Sequence, residues 1–230
     1  MPLAQDRFYS LPPHSTDEHR GIMAGPKGRR VHINPEFPEP RKVTQACQAL
    51  KDGELIGWPT DTGYALACGL YNRRGMDTLR WTRGLEKNHP FTFAVADLSS
   101  MTRYAVIEQG TFRRLKRILP GPYTVILRST PQVPRVLHRK RRHVGVRVID
   151  HPVSQALMTA YGEAIITTSA IHEGQHLEYG EALKDAFGHV LDQILDVDYL
   201  PRAESTVVDM SSAIPDVLRE GAGEVTWLEN

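Results

Sequence analysis

Short runs rich in Val, Ile, Thr and Tyr alternate along this chain with segments of helical period, and Pro or Gly marks most of the junctions. Runs of about 4–8 residues bounded by such breakers read as strands. Their irregular alternation with helices argues against a regular doubly wound sheet and predicts a mixed α/β fold. VHIN (31–34) is the first expected strand. Val43, Ala46, Cys47, Ala49 and Leu50 then recur at helical spacing until Asp52-Gly53 stops them. GELIGWP is a strand ended by Pro59, and Thr60-Asp61-Thr62-Gly63 a tight turn into the strand YALACGL. Asn72 is placed to cap a helix over residues 72–83. Further on, FTFAVADL is a strand, residues 98–101 a short turn and residues 110–119 a basic helix, before Pro120-Gly121-Pro122 breaks the chain. TVILR, HVGVRV and AIITTSA are strands, with a helix over 152–161 between the last two. Residues 178–195 read as a helix interrupted at Gly188, and STVVDM and DVLRE close the chain as strands.

The 230 residues, 40% hydrophobic and 24% charged, suit a soluble globular protein rather than a disordered or fibrous one. Residues 1–29, rich in Pro, Gly and His, read as an N-terminal arm, and residues 30–230 as one domain. No stretch approaches the roughly 18 apolar residues of a membrane span. The opening residues lack the apolar centre of a secretory signal. Cys47 and Cys68 are too few for a disulfide framework, so a reducing cytoplasm is expected.

Net charge is +1, but its distribution is uneven. Residues 101–150 hold twelve Lys/Arg against two acids, whereas residues 151–230 hold three against fourteen. Either a polyanion meets the basic block or the two blocks face each other and cancel. The densest part is His138-Arg139-Lys140-Arg141-Arg142-His143. Arg139, Lys140, Arg141 and Arg142 are therefore candidate RNA-binding residues, able to neutralise several phosphates in a salt-dependent way.

His172-Glu173-Gly174-Gln175-His176 matches H-E-x-x-H, which holds zinc when a helix aligns both histidines. Here it follows a strand and contains a glycine, so a polar loop is expected and no metal site is assigned. Neither of the standard glycine-rich phosphate loops is present. What remains is a set of hydroxyls at strand ends, Thr60, Thr62, Thr124 and Ser169, with Arg83, Lys87, Arg147 and Arg219 as cations. Hydroxyls and guanidinium forks are the groups that a phosphate or carboxylate requires.

In order, GELIGWPTDTGYALAC, PFTFAV, PGPYTVIL, VGVRVIDHP, ITTSA, STVVD and VLREG resemble the YrdC-like family, which includes threonylcarbamoyl-adenylate synthases. The resemblance runs from about Val31 to about Gly221. Thr62-Gly63-Tyr64 and Ile171 are similar to the YciO branch. It implies a twisted sheet of mixed parallel and antiparallel strands, with flanking helices, around a concave basic cavity. It also implies a nucleotide (ATP or AMP) and structured or double-stranded RNA, such as tRNA or rRNA, as partners. The synthases join L-threonine, bicarbonate and ATP, with Mg²⁺, into threonylcarbamoyl-AMP for modifying tRNA adenosine.

By resemblance, Thr62, Arg83 and Ser169 fall at catalytic positions, and Thr60, Thr124, Arg147, Ser169, Thr206 and Arg219 at nucleotide- or phosphate-binding ones. Lys87 joins the second set as a nearby cation. Two positions depart from the family pattern. Its K-x-R falls on Arg83-Gly84-Leu85 and its S-x-N on Ser169-Ala170-Ile171, so one charge and one amide are lost. Two functions follow as expectations: a nucleotide- and RNA-binding protein with weak synthase activity, or an RNA-binding module without the chemistry.

Overall fold

The computed structural model describes residues 27–86, 89–137, 142–212 and 214–229. Most of the expected arm, residues 1–26, lies outside them. Strand β1 (Arg29–His32) begins two residues before the expected run. Helix α1 (Pro40–Lys51) follows, with Pro40 in its first turn, where a missing N–H costs nothing. Its Val43, Ala46, Cys47, Ala49 and Leu50 are buried, as their spacing predicts. The β2 (Ile56–Thr60) and β3 (Gly63–Gly69) strands form a hairpin buried throughout. Helix α2 (Arg73–Thr82) starts where the Asn72 side chain accepts a hydrogen bond from Gly75 N at 2.8 Å.

The next strand is shorter than expected. Only Thr92–Ala94 of FTFAVADL pairs, as β4, and Leu98–Met101 is a helical turn, α3. Then come β5 (Ala105–Val106), α4 (Gln109–Ile118), β6 (Tyr123–Ser129) and β7 (His143–Arg147). Helix α5 (Pro152–Tyr161) matches its expected bounds, with Pro152 opening it and Gly162 in the left-handed region closing it. It leads into β8 (Ile165–Ser169).

Two expectations fail here. The motif around His172 is a hairpin rather than a loop. Ile171–His172 (β9) pairs with Gln175–His176 (β10), and Glu173 and Gly174 take the positive φ values that a two-residue turn demands. The helix that zinc would need is absent from this segment, and no cluster of three or more metal-ligating side chains occurs among the described residues. The interrupted helix over 178–195 is in fact α6 (Gly180–Phe187) followed by a strand, β11 (Gln193–Asp196). That strand is buried between β1 and β2 and parallel to both. A four-residue run without alternation does not separate a buried strand from a helical turn. The chain then forms β12 (Thr206–Asp209) and β13 (Asp216–Arg219).

Among the described residues, eleven strands make one mixed sheet, ordered β1-β11-β2-β3-β8-β4-β7-β6-β12-β13, with β5 beside β6. Helices flank it, and Trp58, Phe93, Tyr104 and Phe187 are among its fully buried side chains. No helix among the described residues is long and apolar enough to cross a membrane. Both cysteines are free and buried.

The register shows how strongly the sheet bends. Gly69 pairs with Ile165, Ile165 with Ala94, and Ala94 with Arg147. Arg147 therefore sits three strands across from β3, in the row of Gly69, six residue steps from Gly63. In a flat sheet that is roughly 20 Å along the strands and roughly 14 Å across them. Yet Arg147 Nη1 donates to Thr62 Oγ1 at 3.0 Å. A long side chain spans only part of that gap. Twist and curl bring two diagonal corners of the sheet together and leave a concave side between them.

Candidate nucleotide site

One corner is the β2–β3 turn. Gly63 has φ +105°, and a Cβ there would stand 3.4 Å from the Arg202 backbone, so a side chain would be strained. The Thr60 hydroxyl donates to Gly63 O at 2.6 Å and accepts from Thr62 N at 3.2 Å. Thr62 Oγ1 lies 3.2 Å from Thr60 Oγ1 and receives Arg147 on its other side.

The other corner is the end of β7. Arg147 is buried and pairs with the Asp61 carboxylate, whose second oxygen accepts from Asp150 N at 3.0 Å. Its Nε has no partner among the described residues. Burial presses the Arg147 pKa down, Asp61 resists that, and the positive charge of Arg219 presses it further. The charge of Arg219 is therefore felt at Arg147.

Arg219 is held by the residues that lead into β12. Its Nε and Nη2 donate to Ser205 O at 3.1 and 2.9 Å, Nη2 also reaches Ser205 Oγ at 3.1 Å, and Nη1 stands 3.3 Å from Glu204. Ser205 Oγ in turn lies 2.8 Å from Thr124 Oγ1. Thr124 precedes Val125, whose partner Val146 precedes Arg147, so the antiparallel register sets Thr124 beside Arg147. Thr206 is different. Its hydroxyl donates to Gly223 O at 2.6 Å and accepts from Gly221 N at 2.9 Å, so it ties the C-terminal loop down.

Arg83 caps the C-terminal end of α2 and donates to the backbone carbonyl of Ile171. Its Nε is buried without a partner among the described residues, and burial lowers its pKa. Ser169 ends β8 in an exposed position, paired to Ala65. Leu85 is partly buried and packs on the core. Arg83 and Ile171, two positions singled out by the family resemblance, are therefore in direct contact, with Arg83 engaged by backbone. Lys87, Arg139, Lys140 and Arg141 lie outside the described residues, and Arg142 has φ 60°.

Sequence reasoning missed Asp61 and Ser205. Both stand next to residues it selected, and an acid set between two threonines was the available signal. The structure brings Thr60, Thr62 and Arg147 together at one corner, and Thr124 and Arg219 around Ser205. No group of three or more His, Cys, Asp or Glu is placed to hold a metal among the described residues. The hydroxyls and guanidiniums gathered here suit anions.

The Sua5/YciO/YrdC family model, described as "Telomere recombination", matches residues 48–221. The Escherichia coli protein YciO is 36% identical over 197 residues, covering 84% of this chain and 96% of YciO. Its crystal structure superposes with a TM-score of 0.82 at 35% identity, covering 87% of this chain and 98% of that one. A threonylcarbamoyl-AMP synthase of Vibrio vulnificus is 28% identical over 157 residues, covering 66% of this chain and 84% of the synthase. P. abyssi Sua5, complexed with L-threonine, gives a TM-score of 0.77 at 25% identity, covering 84% of this chain and 57% of that one.

Proposed function

Because the chain belongs to the Sua5/YciO/YrdC family, we propose that the cleft between the Thr60–Gly63 turn and the Thr124–Ser205 pair binds ATP and slowly converts it to threonylcarbamoyl-AMP for tRNA modification. One observation carries this reading. The register sets Thr124 beside Arg147, whose guanidinium reaches the Thr62 hydroxyl, and Ser205 joins Thr124 to Arg219, so two guanidiniums and three hydroxyls are gathered in one region, the groups that an anionic ligand requires.

The chemistry needs charge neutralisation more than a protein nucleophile. The amine of L-threonine adds to bicarbonate with loss of water, giving a carbamate. A carbamate oxygen then attacks the α-phosphorus, and the bond to the bridging oxygen breaks to release pyrophosphate. Mg²⁺ would arrive on the triphosphate and offset its charge. Leu85 and Ile171 remove a cation and an amide, and one such donor is typically worth about 10²–10³ in rate, which is why slow turnover is expected.

Purified protein given ATP, Mg²⁺, bicarbonate and L-threonine should release pyrophosphate only when threonine is present, and Arg83→Ala should abolish the signal. Threonine-independent background alone overturns the reading.

A second reading is an RNA-binding module without chemistry. It is favoured by Arg83 being engaged by the Ile171 carbonyl and by Leu85 packing on the core. A-form RNA is recognised through phosphate and 2′-OH contacts, which the basic run 139–142 can supply. Changing Arg139, Lys140, Arg141 and Arg142 to Gln should weaken binding of duplex RNA and flatten its salt dependence. Unchanged affinity and salt slope would rule it out.

A further inference from the structure

The neighbours β4 and β7 run parallel and end level, since Ala94 pairs with Arg147. Beyond that point the chain leaves β4 toward α3 and β7 toward α5. Ligands of α/β sheets settle in crevices outside the carboxyl ends of strands whose exits diverge. Here the crevice is a cavity of about 450 Å³, bounded on its far side by α4. That size falls in the usual range of small-molecule sites, roughly 300–1,000 Å³. Val148, which lines it, directly follows Arg147 at the end of β7, so the cavity adjoins the proposed nucleotide site.

Its lining is complementary to a dipolar molecule with an apolar body. Leu98, Phe112, Leu119 and Val148 form an apolar surface. Lys116 brings an ammonium from α4, and no ion pair among the described residues takes it up. Asp97 brings a carboxylate, held below its ordinary pKa by hydrogen bonds from Ser100 and so ionised. The amide nitrogen of Gln155 is tied to Ile149 O at 2.6 Å, which leaves its carbonyl oxygen as an acceptor.

We propose that this cavity binds a free α-amino acid with a large apolar side chain, its carboxylate on Lys116 and its ammonium on Asp97 and the Gln155 carbonyl. A purely anionic or purely cationic ligand would leave one of the two fixed charges facing it unfavourably. A small side chain would leave most of the apolar wall uncovered.

Calorimetric titration of the full chain with L-leucine, L-methionine, L-phenylalanine, L-threonine and N-acetyl-L-leucinamide tests this, with ATP titrated in parallel. One or more of the three apolar amino acids should bind, threonine more weakly at this site, and the uncharged amide not at all. Lys116→Met and Asp97→Asn should each weaken the apolar amino acid at least about ten-fold while ATP binding stays unchanged. Asn caps α3 as well as Asp does, so that variant keeps its fold. No heat from any apolar amino acid at millimolar concentration, equal binding by the uncharged amide, or full affinity in Lys116→Met would overturn the proposal. Each of those results leaves the ATP titration, and with it the nucleotide cleft, standing on its own.

Discussion

Asp61 and Arg147 form a buried ion pair between two corners of the sheet that the strand register sets three strands apart. Both side chains are about nine-tenths buried, at 8% and 10% exposure, and Asp61 also accepts from Asp150 N. Removing one partner strands a charge in low dielectric, which costs about 3–5 kcal/mol, more than the pair itself contributes. Asp61→Ala should therefore lower unfolding free energy by about that much in urea titration. Asp61→Ala with Arg147→Ala should cost clearly less than the two single changes added together. Strict additivity would show that the corners are held by something else.

This contact also marks where the sequence stopped being legible. Local signals placed α5 within its bounds, because Pro152 and Gly162 bracket it chemically. They also placed the turn at Gly63 and the hydroxyls at strand ends. They could not place Asp61 against Arg147, 86 residues away, because that approach depends on the accumulated curl of four strands. Strand β11 was missed for a related reason. Residues 193–196 become a strand because β1 and β2 offer parallel partners on both sides, and only the assembled sheet supplies those. Thr206 fits a site position by its place in the chain, yet its hydroxyl is taken up by Gly223 and Gly221.

Gly180 opens α6 against the buried Asp196 carboxylate, and a Cβ there would overlap it. Asp196 cannot move aside freely. Arg30 holds it at 2.7 and 2.8 Å, and Asp198 N and Tyr64 Oη hold its other oxygen at 3.0 and 3.1 Å. Gly180→Ala should thus destabilise by about 1–3 kcal/mol despite the better helix propensity of Ala. Gly110 in α4 has no atom within 4 Å of the same position apart from its chain neighbours and its own helix backbone. Gly110→Ala should stabilise by about 0.5 kcal/mol, and urea midpoints of the two variants should move in opposite directions.

His151 caps α5 by accepting from Val153 N at 3.2 Å, which requires an unprotonated Nδ1. Burial lowers its pKa from 6.5, and the nearby Asp61 and Asp150 carboxylates only partly offset this. Protonation is thus harder in the folded chain than in the unfolded one. The stability involved is complete above about pH 6.5 and is lost as pH falls toward the lower folded-state value. His151→Asn retains a capping oxygen without the titration. Its unfolding free energy should vary less than the parent's between pH 7 and pH 5, and an equal slope would remove His151 as the source.

By the family resemblance, Leu85 and Ile171 fall where the synthase pattern has a charge and an amide. Arg83 donates to the backbone carbonyl of Ile171, so Ile171→Asn leaves that acceptor in place while adding a side-chain amide at the same residue. Leu85 is only partly buried, so an arginine there can extend its stem along the core and place its charge outside. Threonine-dependent pyrophosphate release by Leu85→Arg with Ile171→Asn should rise at least about ten-fold over the parent, given the worth of a single electrostatic donor. Arg83→Ala in that background should remove the gain. If the double variant folds, as its urea midpoint would report, and turnover still does not change, the limit on catalysis lies outside these two positions and the adenylate-forming reading loses its explanation for slow chemistry.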